Sequence, residues 1–281
     1  MPPASTQPKR IVLLTRDGLE HRYVANALCD ACELEAIVVD TAQRRGTWRR
    51  AWRQSPAHFA ARTGRAVFLR AIADATRRRH ALEAVFRGDP GLARPELVRK
   101  VDGINGEATK RLLDDIAPDA ILVYGTGIVR DHILTRATGI ALNMHTGISP
   151  YYRGTNCAQW PIINGEPEKL GATVHECTSD LDGGRIFATG HAAIEPDDGL
   201  HHAFARAVVL GAGLYWSVVR DYLDGTLRGE PQDLTQGREY RSAQLTLTAE
   251  LRGRLAIRRG LLRRYAMANN TASSSVSHLP A

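Results

Sequence analysis

Short apolar runs separated by polar turns organise the first part of the chain. Ile11–Thr15 is an unbroken buried-strand pattern, and Arg16-Asp17-Gly18 after it has the composition of a turn. Tyr23, Val24, Ala27, Leu28 and Ala31 then recur with helical spacing, and Leu34–Val39 is a second apolar run with Asp40 at its end. Strand, helix and strand in so short a span predict a parallel sheet. Ile104, Ala108, Leu112 and Ile116 repeat every fourth position until Pro118, and Ala120–Tyr124 follows as another buried strand. Further strands are expected at Ile140–His145, Gly171–Cys177 and Arg185–Ala192, and helices at Asn156–Asn164 and Ala203–Leu223. The fold class is therefore α/β with a mostly parallel central sheet.

The pattern also divides the chain. Residues 1–9 read as a disordered tail and 10–225 as one domain, with an arginine-rich helical insertion over 41–100. Residues 226–268 form a short helical extension, including a basic helix at Ala249–Ala268, and the Ser-rich 269–281 reads as a second disordered tail. The first strand-to-helix turn carries Gly18 alone, so the GxGxxG dinucleotide fingerprint is missing.

Composition narrows the function classes. At 281 residues and 43% hydrophobic the chain can bury a proper core. Its apolar runs fall short of the roughly 20 residues that span a bilayer, and the first ten residues lack the apolar stretch of a secretory signal. Four cysteines do not make a disulfide scaffold, and a zinc site at Cys29 and Cys32 would need two more ligands. A soluble, cytoplasmic protein without membrane contact is expected. The net charge of +7 is concentrated in two blocks, at Arg44–Lys100 and Arg252–Arg264. No nucleic-acid-binding signature accompanies them, so a solvated face or an anionic partner is the expected reading.

Candidate chemistry lies between Ala141 and Gly184. On a strand at Ile140–His145 alternate side chains share a face, which sets Asn143 beside His145 at the carboxyl end, where α/β crevices open. A Gly/Pro-rich loop, Thr146–Gly154, comes next, then Gly171-Ala-Thr-Val-His175, then the acidic turn Asp180-Leu-Asp182-Gly-Gly184. His175 reads as a structural residue or a support to the others. An amide and an imidazole thus share one strand face, and one acid of the turn can face the same crevice.

The order Asn143-x-His145, Pro150-x-x-Arg153-Gly154, Gly171-x-Thr173-x-His175, Asp182-x-Gly184 resembles the folate-dependent formyltransferases, a group including glycinamide ribonucleotide, methionyl-tRNA and amino-sugar enzymes. The resemblance is strongest over 118–195. It implies a three-layer Rossmann-like formyltransferase fold and a catalytic triad of Asn143, His145 and Asp182. It implies 10-formyltetrahydrofolate as formyl donor, held by the loop Tyr124, Gly125, Thr126, Gly127, Ile128 and Val129 and by the turn at Asp180 and Gly183, with no metal. It further implies a small-molecule amine as acceptor, an amino sugar or a secondary-metabolite amine, met by Arg16, Asp17, Tyr151, Arg153 and Asn156. Where many members carry Ser-Leu-Leu-Pro, this chain has Gly147-Ile148-Ser149-Pro150. Only 56 residues follow Gly225, which disfavours a tRNA acceptor. A formyltetrahydrofolate deformylase and a non-catalytic module for an acidic partner are the competing readings; the first strand begins at Ile11, with no room before it for a regulatory domain, which favours the transferase. A homodimer is left open.

Overall fold

A computed structural model describes residues 8–42, 56–178 and 180–276. Its centre is a seven-stranded sheet in the order β3-β2-β1-β4-β5-β7-β8. The strands are β1 (Ile11–Thr15), β2 (Leu34–Asp40), β3 (Val98–Val101), β4 (Ala120–Tyr124), β5 (Ile140–His145), β7 (Gly171–Glu176) and β8 (Ile186–His191). The first five pair in parallel, β7 runs antiparallel to β5, and β8, antiparallel to β7, runs with the first five again. β1 and β4 are buried at every residue, as expected of parallel strands covered on both faces.

Helices cover the sheet. One face packs Val24, Leu28 and Ala31 of α1 (Leu19–Ala31) and much of α7 (Leu200–Leu223) against Leu13, Ile37, Leu122 and Leu142. The opposite face, with Val12, Leu14, Val38 and Ile121, meets Leu113 of α4 (Glu107–Ile116) and Ile133 of the short α5 (Asp131–Leu134). By length and apolarity α7 would pass for a membrane span, but Ala205, Val208, Ala212, Tyr215 and Val219 are buried against the sheet and α1. Its Tyr215 hydroxyl accepts from Val123 N at 2.9 Å and donates to Leu142 O at 2.8 Å, fixing the helix to the two adjacent strands β4 and β5.

The arginine-rich insertion contains α2 (Pro56–Ala71) and α3 (Asp74–Phe86); its part over 43–55 lies outside the described residues. Contrary to expectation it does not stay helical to 100. Val98-Arg-Lys-Val101 is the sheet's edge strand β3, pairing with Ile37–Asp40 of β2. An edge position leaves Arg99 and Lys100 exposed while burying Val101, so apolar periodicity is weak there.

The helix expected at Asn156–Asn164 is shorter, α6 (Trp160–Asn164), because Asn156 sits at φ 60 and cannot join a right-handed helix. The single basic helix expected at 249–268 is two, α8 (Leu247–Arg258) and α9 (Leu261–Val276), divided where Gly260 takes φ 80. Helix α9 also continues past Asn269 to Val276, with no proline or glycine to stop it; 277–281, like 1–7 of the first tail, lie outside the described residues. Nor is the extension purely helical. Its β9 (Arg238–Tyr240) pairs in parallel with β6 (Tyr152–Gly154), and Tyr240 stacks on both Tyr152 and Trp160.

Candidate active site

Strand β5 ends between β4 and β7, and its last residues carry the site. Asn143 is opposite His175, and His145 opposite Thr173, across the antiparallel pair. The turn after β7 brings Asp182 to both. His145 Nδ1 is 3.5 Å from Asp182 Oδ2, and Asn143 Nδ2 donates to Asp182 Oδ1 at 3.4 Å. The structure thus assembles the three residues that the sequence placed on one strand end and one distant turn.

A fourth side chain belongs with them. His175 Nε2 is 3.3 Å from Asp182 Oδ1 and 3.1 Å from Asn143 Nδ2, and its side chain is 3% exposed. Its Nδ1 donates to Glu176 O at 2.8 Å, which leaves Nε2 able to accept from the Asn143 amide. The signal was present in sequence, since His175 occupies a strand position two residues from Thr173, but the antiparallel register that brings it to Asn143 was not.

Asp182 is nine-tenths buried yet held as a carboxylate. Burial opposes its ionisation. The His145 charge, the His175 contact and the Gly154 N–H, which donates to Oδ2 at 2.7 Å, outweigh that penalty and hold the carboxyl well below its usual range. The residue adopts φ 49, the left-handed region that non-glycine residues rarely enter. His145 Nε2 donates to Tyr152 O at 2.9 Å while Nδ1 faces Asp182, so both ring nitrogens point at acceptors.

The loop between β5 and β6 is pinned from β7. Thr173, fully buried, donates to Gly147 O at 2.9 Å and accepts from Ser149 N at 3.1 Å; the Ser149–Pro150 peptide is cis. Gly147 has no room for a side chain, since a Cβ would come within 2.5 Å of His145 Nε2.

The remaining expected residues divide into two groups. Arg153 is on β6 beside Gly154, with Nη2 3.4 Å from Leu234 O. Tyr151 and Asn156 flank that strand and are exposed; the Tyr151 ring has Lys169 Nζ 5.1 Å from its centroid. Arg16 and Asp17 are elsewhere: with Thr15, His21 and Lys100 they line a cavity of about 350 Å³ at the carboxyl ends of β1–β3, to which none of Asn143, His145 and Asp182 contributes. Asp17 is further occupied by Arg22 at 3.0 Å.

In the loop after β4 the Tyr124 ring is buried in the core, 5.2 Å from the His21 ring, so only its backbone can serve a ligand. Gly125, at φ 64, is explained by the same histidine: a Cβ there would meet His21 Cε1 at 2.4 Å. The Thr126 hydroxyl donates to Gly127 O, and Val129 packs into the core. Asn105 clamps the loop's end, donating to Ile128 O and accepting from Arg130 N, while Ile128 is 73% exposed. In the turn after β7 Gly183 N donates to Asp180 O. Among the described residues no group of three or more His, Cys, Asp or Glu side chains is arranged to hold a metal.

The family model described as "Formyl transferase" matches residues 31–219. The chain belongs to the formyl transferase family. Among its curated relatives is the methionyl-tRNA formyltransferase of Lactobacillus acidophilus, 30% identical over 131 residues, 46% of this chain and 41% of that protein. The Streptococcus equi subsp. equi enzyme of the same name is 30% identical over 121 residues, 43% of this chain and 39% of that protein. This formyl transferase family member thus spans about two-fifths of the length of those relatives. Two solved structures share its fold: a 4-N formyltransferase from Francisella tularensis (14% identity, TM-score 0.53, covering 88% of this chain and 87% of that one) and glycinamide ribonucleotide transformylase 1 from Symbiobacterium toebii (18%, 0.53, covering 80% and 95%). The expected three-layer, Rossmann-like fold is confirmed by these likenesses and by the sheet itself.

Proposed function

We propose that this family member moves the formyl group of 10-formyltetrahydrofolate to the primary amine of a small molecule, an amino sugar or a secondary-metabolite amine. One observation carries the reading: an amide, an imidazole and an ionised carboxylate converge at the carboxyl end of β5. The donor supplies an already activated formyl carbon.

The chain's residues then have distinct tasks. Asp182, held ionised far below neutral pH, is a poor proton acceptor; it fixes the His145 ring and balances its charge. His145 is the group that donates or takes up a proton in the crevice, through Nε2 once it gives up its bond to Tyr152 O. Asn143 supplies an N–H for the formyl oxygen by giving up its 3.4 Å contact to Asp182, the longer of its two, while His175 retains the amide at 3.1 Å. A preorganised donor of this kind is worth about 3 kcal/mol in the transition state. The donor's flat heterocycle would be held by backbone groups of 126–129 and of the turn Asp180–Gly183, and the exposed, Asn105-clamped loop end is consistent with that. Tyr151, Arg153 and Asn156, grouped on and around β6 next to Gly154, are the acceptor contacts we favour.

The test is an incubation of the protein with 10-formyltetrahydrofolate and a panel of amines, read by mass spectrometry for N-formyl products. A formylated amine supports the reading. Release of formate at the same rate with and without amines would instead identify a hydrolase.

A further inference from the structure

Both ends of the 2.7 Å bond from Gly154 N to Asp182 Oδ2 are tied to one segment of the C-terminal extension, residues 230–240. The segment enters as an edge: Glu230 and Ile186 exchange backbone hydrogen bonds of 2.9 and 2.8 Å, continuing the sheet beyond β8. Two residues later the Gln232 side chain donates both hydrogens of its amide, one to Asp182 O at 3.0 Å and one to Gly184 O. Beyond it Leu234 O accepts from Arg153, Arg238 N donates to Tyr151 O at 3.1 Å, and β9 pairs with β6 through Gly154. A side chain at Gly154 would meet Tyr240 O at 2.2 Å, so this pairing is close.

The assignment of the Gln232 amide is chemically forced. Its nitrogen faces two carbonyl oxygens, which only accept. Its own Oε1 is buried without a partner, a cost that the orientation accepts in return for those two bonds. The turn needs such support because Asp182 sits in the left-handed region.

We propose that Gln232 is a positioning residue: by bridging the carbonyls of Asp182 and Gly184 it sets the carboxylate against His145, His175 and Gly154. The strap 230–240 then registers the acidic turn and the β6 loop to each other, so the C-terminal extension completes the catalytic geometry. Its consequence for turnover rests on the formyl-transfer reading above; the geometry itself does not.

The experiment titrates Asp182 directly, through the carboxyl ¹³C resonance of Asp-labelled protein assigned with D182N. Q232M keeps the side-chain length and removes the donor. Its Asp182 midpoint should rise by about one pH unit or more as the carboxylate loses its partners. The kcat for formyl transfer should fall about tenfold with the donor KM nearly unchanged. Q236A, which alters the same segment without touching either carbonyl, should match wild type in both. If Q232M does not fold, Q232N, whose shorter arm withdraws the amide from the carbonyls, takes its place. An unchanged Asp182 midpoint overturns the inference whatever the activity. A raised midpoint in a protein that transfers no formyl group upholds the positioning role and refutes the formyl-transfer reading alone.

Discussion

Asn143 and His175 face each other across the β5–β7 pair with Asn143 Nδ2 3.1 Å from His175 Nε2, and Asp182 Oδ1 lies within 3.4 Å of both atoms. The histidine therefore aims the amide, whose N–H it accepts on Nε2, and stands directly against the carboxylate. Replacing it by phenylalanine keeps the ring volume and removes both nitrogens. Removing the acceptor leaves a buried amide N–H short of a partner, at a cost of about 1–3 kcal/mol, so H175F should lower kcat roughly 10- to 100-fold while the protein remains folded by circular dichroism. Full activity in H175F would reduce His175 to packing.

The depressed Asp182 carboxyl predicts the direction of an acid response. A group whose folded value lies below its unfolded one contributes stability that is fully present above the unfolded pKa, about 3.9 for aspartate. That contribution is lost as pH falls through the folded value. The stability difference between wild type and D182N, measured by urea unfolding, should therefore narrow as pH drops below about 4. A difference that stays constant down to pH 2 would contradict the assigned environment of the carboxylate.

Gly147 offers a way to disturb His145 without touching it. An added methyl would collide with His145 Nε2 and also stand 2.6 Å from Cys157 Cβ and 2.9 Å from Tyr152 O. Gly147→Ala should displace the imidazole from its Tyr152 carbonyl and cost at least about tenfold in kcat. Steady-state kinetics on the folded variant checks this.

A stability prediction concerns the arginine-rich insertion. Glu250 of α8 has a 1% exposed side chain bound by Arg65 of α2 at 2.9 Å and by Arg254 at 2.8 Å, and Arg254 continues to Asp74 of α3. Removing the acid leaves two guanidinium groups facing an emptied pocket, so Glu250→Ala should cost about 3 kcal/mol in chemical denaturation. A loss under about 0.5 kcal/mol would show that the insertion is held by something else.

The strands that build the site were readable because they are central: β1 and β4 are apolar runs bounded by turn residues, β5 is apolar apart from Asn143 and His145, and the structure places them at Ile11–Thr15, Ala120–Tyr124 and Ile140–His145, as read. Asn143, His145 and Asp182 were readable as a motif, and the fold joins them. Elements that depend on distant partners were not. β3 is made by pairing with β2, and β9 by pairing with β6, in segments whose own patterns carry little apolar signal. Gln232 is 50 residues from Asp182 in sequence and is linked to it only through the return of the chain past β8. The cavity around Arg16 shows the converse: an attractive polar turn beside the first strand opens onto a space apart from Asn143, His145 and Asp182. The charge blocks at 44–100 and 252–264 likewise meet in part through the Arg65–Glu250–Arg254 pairing, which pattern alone does not reveal.

The most direct measurement compares wild type with D182N and H145A in the presence of 10-formyltetrahydrofolate and an amine that wild type accepts, following the gain of CO on the amine. Wild type should yield the N-formyl product, and each variant, still folded, should lose roughly 10²–10³ or more of the rate. Product formed at the wild-type rate by either variant would show that the chemistry happens somewhere other than the end of β5.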